Sequence, residues 1–334
     1  MFIRHMHFKD GSIVWGSVLL FLVVLSSCSQ SPATGSTQPT KTAVSSPYVP
    51  TPTPTPTLTT SPRPSPTSSP KTAPAYYAAH LVLRGGAHPD DLIFDPQGRL
   101  LFSDARSGTI ERVNADGSLT RILTDPAIPE GLVFLPGGTL IFAEQRTNRI
   151  LSLAPGSSTP TLVRNLPGTP SSASCKDGVD GIVLDPTTNT LIIPDSPIGN
   201  VYRMSLDGKT FTLLASGIVR PVGAGVDPQG NIYVADECGG AIYRITPSGQ
   251  KTRFGGFGMP DDVLPDGYGN LLLVDLQPSI HALIRFNPIT GHPVTLASQG
   301  YIEPQGLAID VQGNIFVSDD YSNIIMKYVP AFGA

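Results

Sequence analysis

The apolar positions of this chain fall into short runs, and the runs come in pairs. Leu92-Ile93-Phe94 is followed, after the turn Asp95-Pro96-Gln97-Gly98, by Leu100-Leu101-Phe102 and a closing Ser103-Asp104. The same phrase returns over residues 129–144, 179–195, 221–236, 260–275 and 304–319. Short aliphatic and β-branched runs bounded by Asp, Pro and Gly predict antiparallel strands. From the second residue of each copy to its closing acid the spacing is 14 in five copies. It is 15 in the third, whose turn Asp185-Pro186-Thr187-Thr188-Asn189 is longer. Most copies continue with a third run, such as Thr109–Val113 or Ala241–Ile245, and a fourth, such as residues 119–123 or 211–214. Four strands per unit, repeated six times, predict an all-β, six-bladed β-propeller.

The sixth copy stops after Asn323-Ile324-Ile325-Met326-Lys327-Tyr328-Val329, without a fourth strand. Ahead of the first copy lies Ala79-His80-Leu81-Val82-Leu83-Arg84-Gly85-Gly86, which resembles the fourth strand Thr161–Asn165. The expectation is that this N-terminal strand completes the last blade, closing the ring and removing exposed edges. A closed ring of this kind is expected to be a monomer.

Composition narrows the function classes. Glycine and proline contribute 34 residues each to a chain of 334, and only 14% of residues are charged. That balance excludes helical bundles and coiled coils. A net charge of −4 with no basic tract gives nucleic acid nothing to hold, so no nucleic-acid partner is expected. Three cysteines exclude a disulfide-built scaffold. No Gly-x-Ser-x-Gly elbow or phosphate loop occurs, which disfavours covalent serine chemistry and nucleotide use.

The ends of the chain differ from its middle. Arg4 and Lys9 precede an apolar run over residues 13–25, too short to span a bilayer but suited to a secretory signal core. It ends in Leu25-Ser26-Ser27-Cys28, which resembles the lipobox of bacterial lipoproteins. That resemblance implies a signal peptide over residues 1–27 and diacylglycerol on the Cys28 thiol. It also implies an extracytoplasmic domain anchored to the bacterial cell membrane. Residues 28–74 are rich in Ser, Thr and Pro and cannot bury a core, so they read as an extended, disordered stalk carrying a domain at 75–334. With the leader and stalk set aside, residues 75–334 carry 17 basic and 25 acidic groups.

The topology sorts those acids. If the first strand of each blade lines the channel, the acid closing the second strand returns to the face where the first began. Asp104, Glu144, Asp195, Asp236, Asp275 and Asp319 then form an outer ring, expected to accept backbone N–H groups of neighbouring loops in every blade. The inner ring is Asp90, Glu130, Asp180, Val222, Asp261 and Gln305. Because the position accepts Val222, the fold does not demand a charge there. Four carboxylates at one channel mouth suit a hard divalent cation, Ca²⁺ before Mg²⁺, or else form a solvated acidic rim.

Pro304-Gln305-Gly306 through Asp310-Val311-Gln312-Gly313-Asn314 to Asp319 resembles the NHL repeat, and the copies are similar to the gluconolactonase/regucalcin family of six-bladed propellers. The second resemblance implies a metal at the channel mouth and a lactone or ester substrate. Asp180-Gly181 and Glu130-Gly131 match its ligand positions, and Asp90 or Asp261 stands where that family has asparagine. Asp180, His88 and His281 are the catalytic candidates, with Asp90, Glu130, Asp180 and Asp261 as metal ligands. Copy two, from Gly131 to Gly138 and on to Glu144-Gln145-Arg146, also resembles PQQ-dependent sugar dehydrogenases. The NHL resemblance implies instead a non-catalytic module presenting loops to a protein or glycan. Cys175 and Cys238 lie in loops of one face and outside the cytoplasm either pair or stay free.

Overall fold

The computed structural model of the protein describes residues 72–74 and 76–331. The expected signal peptide, the Cys28 lipidation site and nearly all of the stalk lie outside the described residues.

Among the described residues twenty-four strands follow one another, with one three-residue helical turn at Ser196–Ile198. β1 is Tyr76–Arg84. Blade one is β2 (Pro89–Phe94), β3 (Leu100–Asp104), β4 (Thr109–Val113) and β5 (Leu119–Thr124). Blade two is β6 (Pro129–Phe134), β7 (Leu140–Glu144), β8 (Arg149–Leu153) and β9 (Thr161–Asn165). Blade three is β10 (Val183–Asp185), β11 (Thr190–Asp195), β12 (Asn200–Ser205) and β13 (Phe211–Ala215). Blade four is β14 (Pro221–Val226), β15 (Ile232–Asp236), β16 (Ala241–Ile245) and β17 (Lys251–Gly255). Blade five is β18 (Pro260–Pro265), β19 (Leu271–Asp275), β20 (Ala282–Phe286) and β21 (Pro293–Ala297). The last stretch supplies β22 (Pro304–Ile309), β23 (Ile315–Asp319) and β24 (Ile324–Ala331).

Each sheet has four strands in meander order, and the sixth runs β22-β23-β24-β1. The N-terminal strand therefore completes the last blade, pairing antiparallel with β24 from Tyr76↔Ala331 to Arg84↔Ile324. The core is divided among the blade boundaries. Leu101, Ile110 and Leu123 of blade one pack against Leu132, Leu140 and Phe142 of blade two. Phe316 and Ile325 of blade six meet Leu92 and Phe102 of blade one in the same manner. All six boundaries carry such a cluster, so packing closes the ring as well as hydrogen bonding.

The closing acids are structural in five blades. Asp319 accepts the N–H groups of Ile302, Glu303, Tyr321 and Ser322 at 2.6–3.1 Å, tying the approach to β22 to the β23–β24 turn. Asp104, Asp236 and Asp275 do the same with three N–H groups each. Asp195 accepts Gly168 N–H and Asn148 Nδ2. Glu144 departs from the pattern. Its longer side chain reaches its neighbour on β8 and takes the Arg149 guanidinium through both oxygens, at 2.7 and 2.9 Å. A second family of acids caps the turns at the opposite face: Asp310 accepts Gln312 and Asn314 N–H, each at 2.9 Å, and Asp95, Asp227 and Asp266 repeat the geometry.

A bulge recurs at one place in five blades. Pro89 pairs with Asp104 and Leu92 with Phe102, so three steps along β2 oppose two along β3. The same shift separates Pro129 from Leu132, Pro221 from Ala224, Pro260 from Val263 and Pro304 from Leu307. A bulge inserts one residue and re-aims its side chains. It turns two consecutive residues of each inner strand toward the channel axis where alternation alone would turn one. Blade three solves the problem differently. β10 begins only at Val183, so Asp180 lies ahead of the strand, and its carbonyl accepts Gly131 N–H of blade two at 3.1 Å.

Candidate functional site: the acidic channel mouth

The four carboxylates of the inner ring act on one another. Glu130 is 3% exposed, and its Oε2 is buried with no hydrogen-bond partner. Burial first, then the nearby charges of Asp90, Asp180 and Asp261, hold its carboxyl well above the usual range. Asp261 is pushed up in the same way by burial and by Asp180 and Asp90, with partial relief from Arg220. Val222 and Gln305 occupy the two remaining positions and are buried. The space framed by Asp90, Asp180, Asp261 and Gln305 is about 10 Å³, enough for one ion or one water molecule.

Arg220 is the cation of this site, and sequence reasoning passed over it. It lies just before β14 and is 4% exposed. Its Nη2 donates to Asp180 Oδ2 at 3.1 Å and lies 3.6 Å from Asp177 Oδ2, while Nη1 pairs with Glu237. Cys175 and Cys238 form a disulfide that joins the loop carrying Asp177 to the loop carrying Glu237, with Cα atoms 6.2 Å apart. The covalent link and the guanidinium thus hold the same two loops over blades three and four.

The bulge exposes two further acids to the channel. Asp91 and Asp262 each follow a ring position, where the other four copies have glycine. Asp91 Oδ2 accepts Leu132 N–H across the boundary between blades one and two at 2.6 Å. Asp262 Oδ2 accepts Leu307 N–H across the boundary between blades five and six at 3.0 Å. Burial raises Asp91 well above the usual range, with the Asp262 charge next in weight. Burial lifts Asp262 to about 7 against the N–H groups of Val263 and Leu307. The doublet Pro-Asp-Asp in copies one and five was the available sequence signal. The four glycines serve close approach: a Cβ at Gly181 would stand 2.8 Å from Gly223 Cα.

The contacts of His88 and His281 are with other groups. His88 donates its backbone N–H to Asp104 and holds Nδ1 3.6 Å from Asp104 Oδ2, facing the outer ring. His281 ends the turn after β19, where its N–H donates to the Gln277 carbonyl. Asp90, Glu130, Asp180 and Asp261 are brought together. Among the described residues no three His, Cys, Asp or Glu side chains stand close enough to hold a metal ion as they are placed. The donor set is nevertheless all oxygen, as a hard divalent cation requires, and Glu130 Oε2 is an acceptor still without a donor.

A closed ring of six four-stranded blades, with four carboxylates gathered at one channel mouth, defines a six-bladed β-propeller. Human NHL-repeat-containing protein 4 is 29% identical over 117 residues, which is 34% of this chain and 93% of that protein. Its mouse counterpart is 31% identical over 117 residues, 34% of this chain and 84% of its own length. The chain belongs to the NHL-repeat-containing proteins. No family model matches it. Among solved structures it resembles a gluconolactonase from Xanthomonas campestris (TM-score 0.63, 14% identity, 77% of this chain and 91% of that one). It also resembles a calcium-binding regucalcin from Agrobacterium tumefaciens (0.62, 15%, 77% and 97%) and virginiamycin B lyase from Staphylococcus aureus (0.56, 20%, 71% and 79%). At these identities the likeness is one of fold.

Proposed function

We propose that the protein is a membrane-anchored, extracytoplasmic propeller whose acidic mouth binds a divalent cation, Ca²⁺, and hydrolyses a lactone or ester. The observation that carries this reading is Glu130 Oε2, buried and unpartnered among three other carboxylates. Glu130, Asp90, Asp180 and Asp261 would hold the ion. When bound, a divalent cation supplies a Lewis acid that polarises a carbonyl oxygen. Arg220 fixes the orientation of Asp180 through the 3.1 Å hydrogen bond. Burial and its acidic neighbours raise the Asp261 carboxyl, and a bound cation would favour its ionised, ligating form. The mouth itself admits an ion and not a substrate, so the substrate rests on its outer lip, beside the loops joined by the disulfide. The calcium-binding regucalcin and the gluconolactonase among the structural neighbours support this assignment.

Thermal unfolding of the purified protein with and without Ca²⁺ tests the cation. A rise in midpoint that Glu130→Gln abolishes is expected, and no rise in the wild type removes the proposal. A panel of lactones and esters tests the chemistry. Stabilisation without turnover transfers the assignment to a second reading, a calcium-rigidified module that binds a protein or glycan, which the NHL relatives favour. Anchoring through Cys28 is tested by fractionation, with Cys28→Ala expected to leave the membrane.

A further inference from the structure

Below the mouth the channel changes character. Past Asp91 and Asp262 it widens into a chamber of about 470 Å³ that extends toward the face of the β2–β3 and equivalent turns. This lies within the range of small-molecule sites. Its walls are the inner strands, with Phe94, Phe134, Val226 and Ile309 toward the outer end and Leu307 beside Asp262. Among the described residues no lysine, arginine or histidine lines it, and the only charged side chains there are Asp91 and Asp262 at the mouth end. An anionic or strongly polar guest would lose its hydration there without compensation.

The two carboxylates are positioned and still have capacity. The Leu132 N–H fixes Asp91 from the next blade, and the Leu307 and Val263 N–H groups fix Asp262. A carboxyl group keeps acceptor lone pairs beyond the N–H groups it already takes, whether ionised or protonated, and a cation between the two favours their ionised forms. We propose that the chamber binds an apolar molecule ending in one protonated amine, its hydrocarbon body against the inner-strand walls and its ammonium between Asp91 and Asp262. The ammonium brings three donors to acceptors that a low-dielectric wall makes costly to leave open, whereas a hydroxyl brings one and a carboxylate none. The chamber is a different space from the mouth, although Asp91, Gly181 and Asp262 border both.

Isothermal titration of the full-length protein with octylamine, octanol and octanoate, each in the presence of EDTA, tests the proposal without depending on a metal at the mouth. Octylamine is expected to bind at least about tenfold more tightly than octanol, as one charge-assisted hydrogen-bond pair implies, and octanoate not to bind. The double variant Asp91→Asn, Asp262→Asn, checked for cooperative melting, is expected to lose the preference for the amine. Val226→Trp, at the outer end, is expected to weaken octylamine binding and leave the calcium response intact. Equal binding of amine and alcohol overturns the proposal, as does a folded double variant that keeps the preference, or no binding of any of the three. Should the double variant fail to fold, the wild-type ranking of the three compounds and Val226→Trp decide the matter.

Discussion

Arg220 of blade four donates to Asp180, just ahead of blade three, through a 3.1 Å hydrogen bond, and the guanidinium is almost wholly enclosed. The acidic mouth therefore carries a positive charge of its own, fixed between Asp180, Asp177 and Glu237. Replacing Arg220 by methionine takes the cation from the buried Glu237 carboxylate, and breaking a buried pair in this way costs about 3–5 kcal/mol. Urea unfolding of Arg220→Met is expected to show that loss. The variant should also respond more strongly to Ca²⁺, because Asp180 is released from its arginine.

The disulfide closes a separation of 63 residues. Removing it with Cys175→Ser and Cys238→Ser is expected to lower stability by about 2–4 kcal/mol, and dithiothreitol should lower the melting point of the wild type similarly. The blades contain no other cysteine, so the sheet signal in circular dichroism at ambient temperature is expected to persist.

Asp185 gives a pH dependence of known sign. Burial acts to raise its carboxyl, but hydrogen bonds from Thr187, Arg203 and Thr188 outweigh it and hold the value at about 2. A folded value below the unfolded one contributes stability that is full above about pH 4 and disappears as pH falls from there to about 2. The shift corresponds to about 2 kcal/mol. Asp185→Asn should lose that amount at neutral pH and show a flatter acid limb in pH-dependent unfolding.

Deleting residues up to Arg84 removes β1 and leaves β24 as an unpaired edge. Such a strand exposes a row of backbone donors and acceptors that recruits other chains. Size-exclusion chromatography of the truncated protein is expected to show dimers and aggregates, with a lower unfolding midpoint than the intact ring.

The architecture was legible because each blade repeats one phrase in one register. The repeat predicted six blades, four strands in each, and the closure by β1. It also separated the architectural acids Asp104, Asp195, Asp236, Asp275 and Asp319 from the inner ring. Two things were not legible. The bulge following Pro89 and its counterparts breaks strand alternation, so a period of two gave Asp91 and Asp262 no reason to face the channel. Arg220 sits in a connecting loop, where no periodicity indicates direction, and its partners come from two other loops, one carrying Asp177 and Asp180 and one carrying Glu237.

The strand that closes the ring has the longest wait in the molecule. Tyr76–Arg84 is made before any blade, and its hydrogen-bonding partner is the last of the described strands. During synthesis the first five blades can assemble from neighbours in sequence, while the chain's opening strand stays single until Ile324–Ala331 arrives. The seam is thus a checkpoint for the ring: a chain cut short before Ile324 leaves Tyr76–Arg84 without its partner strand.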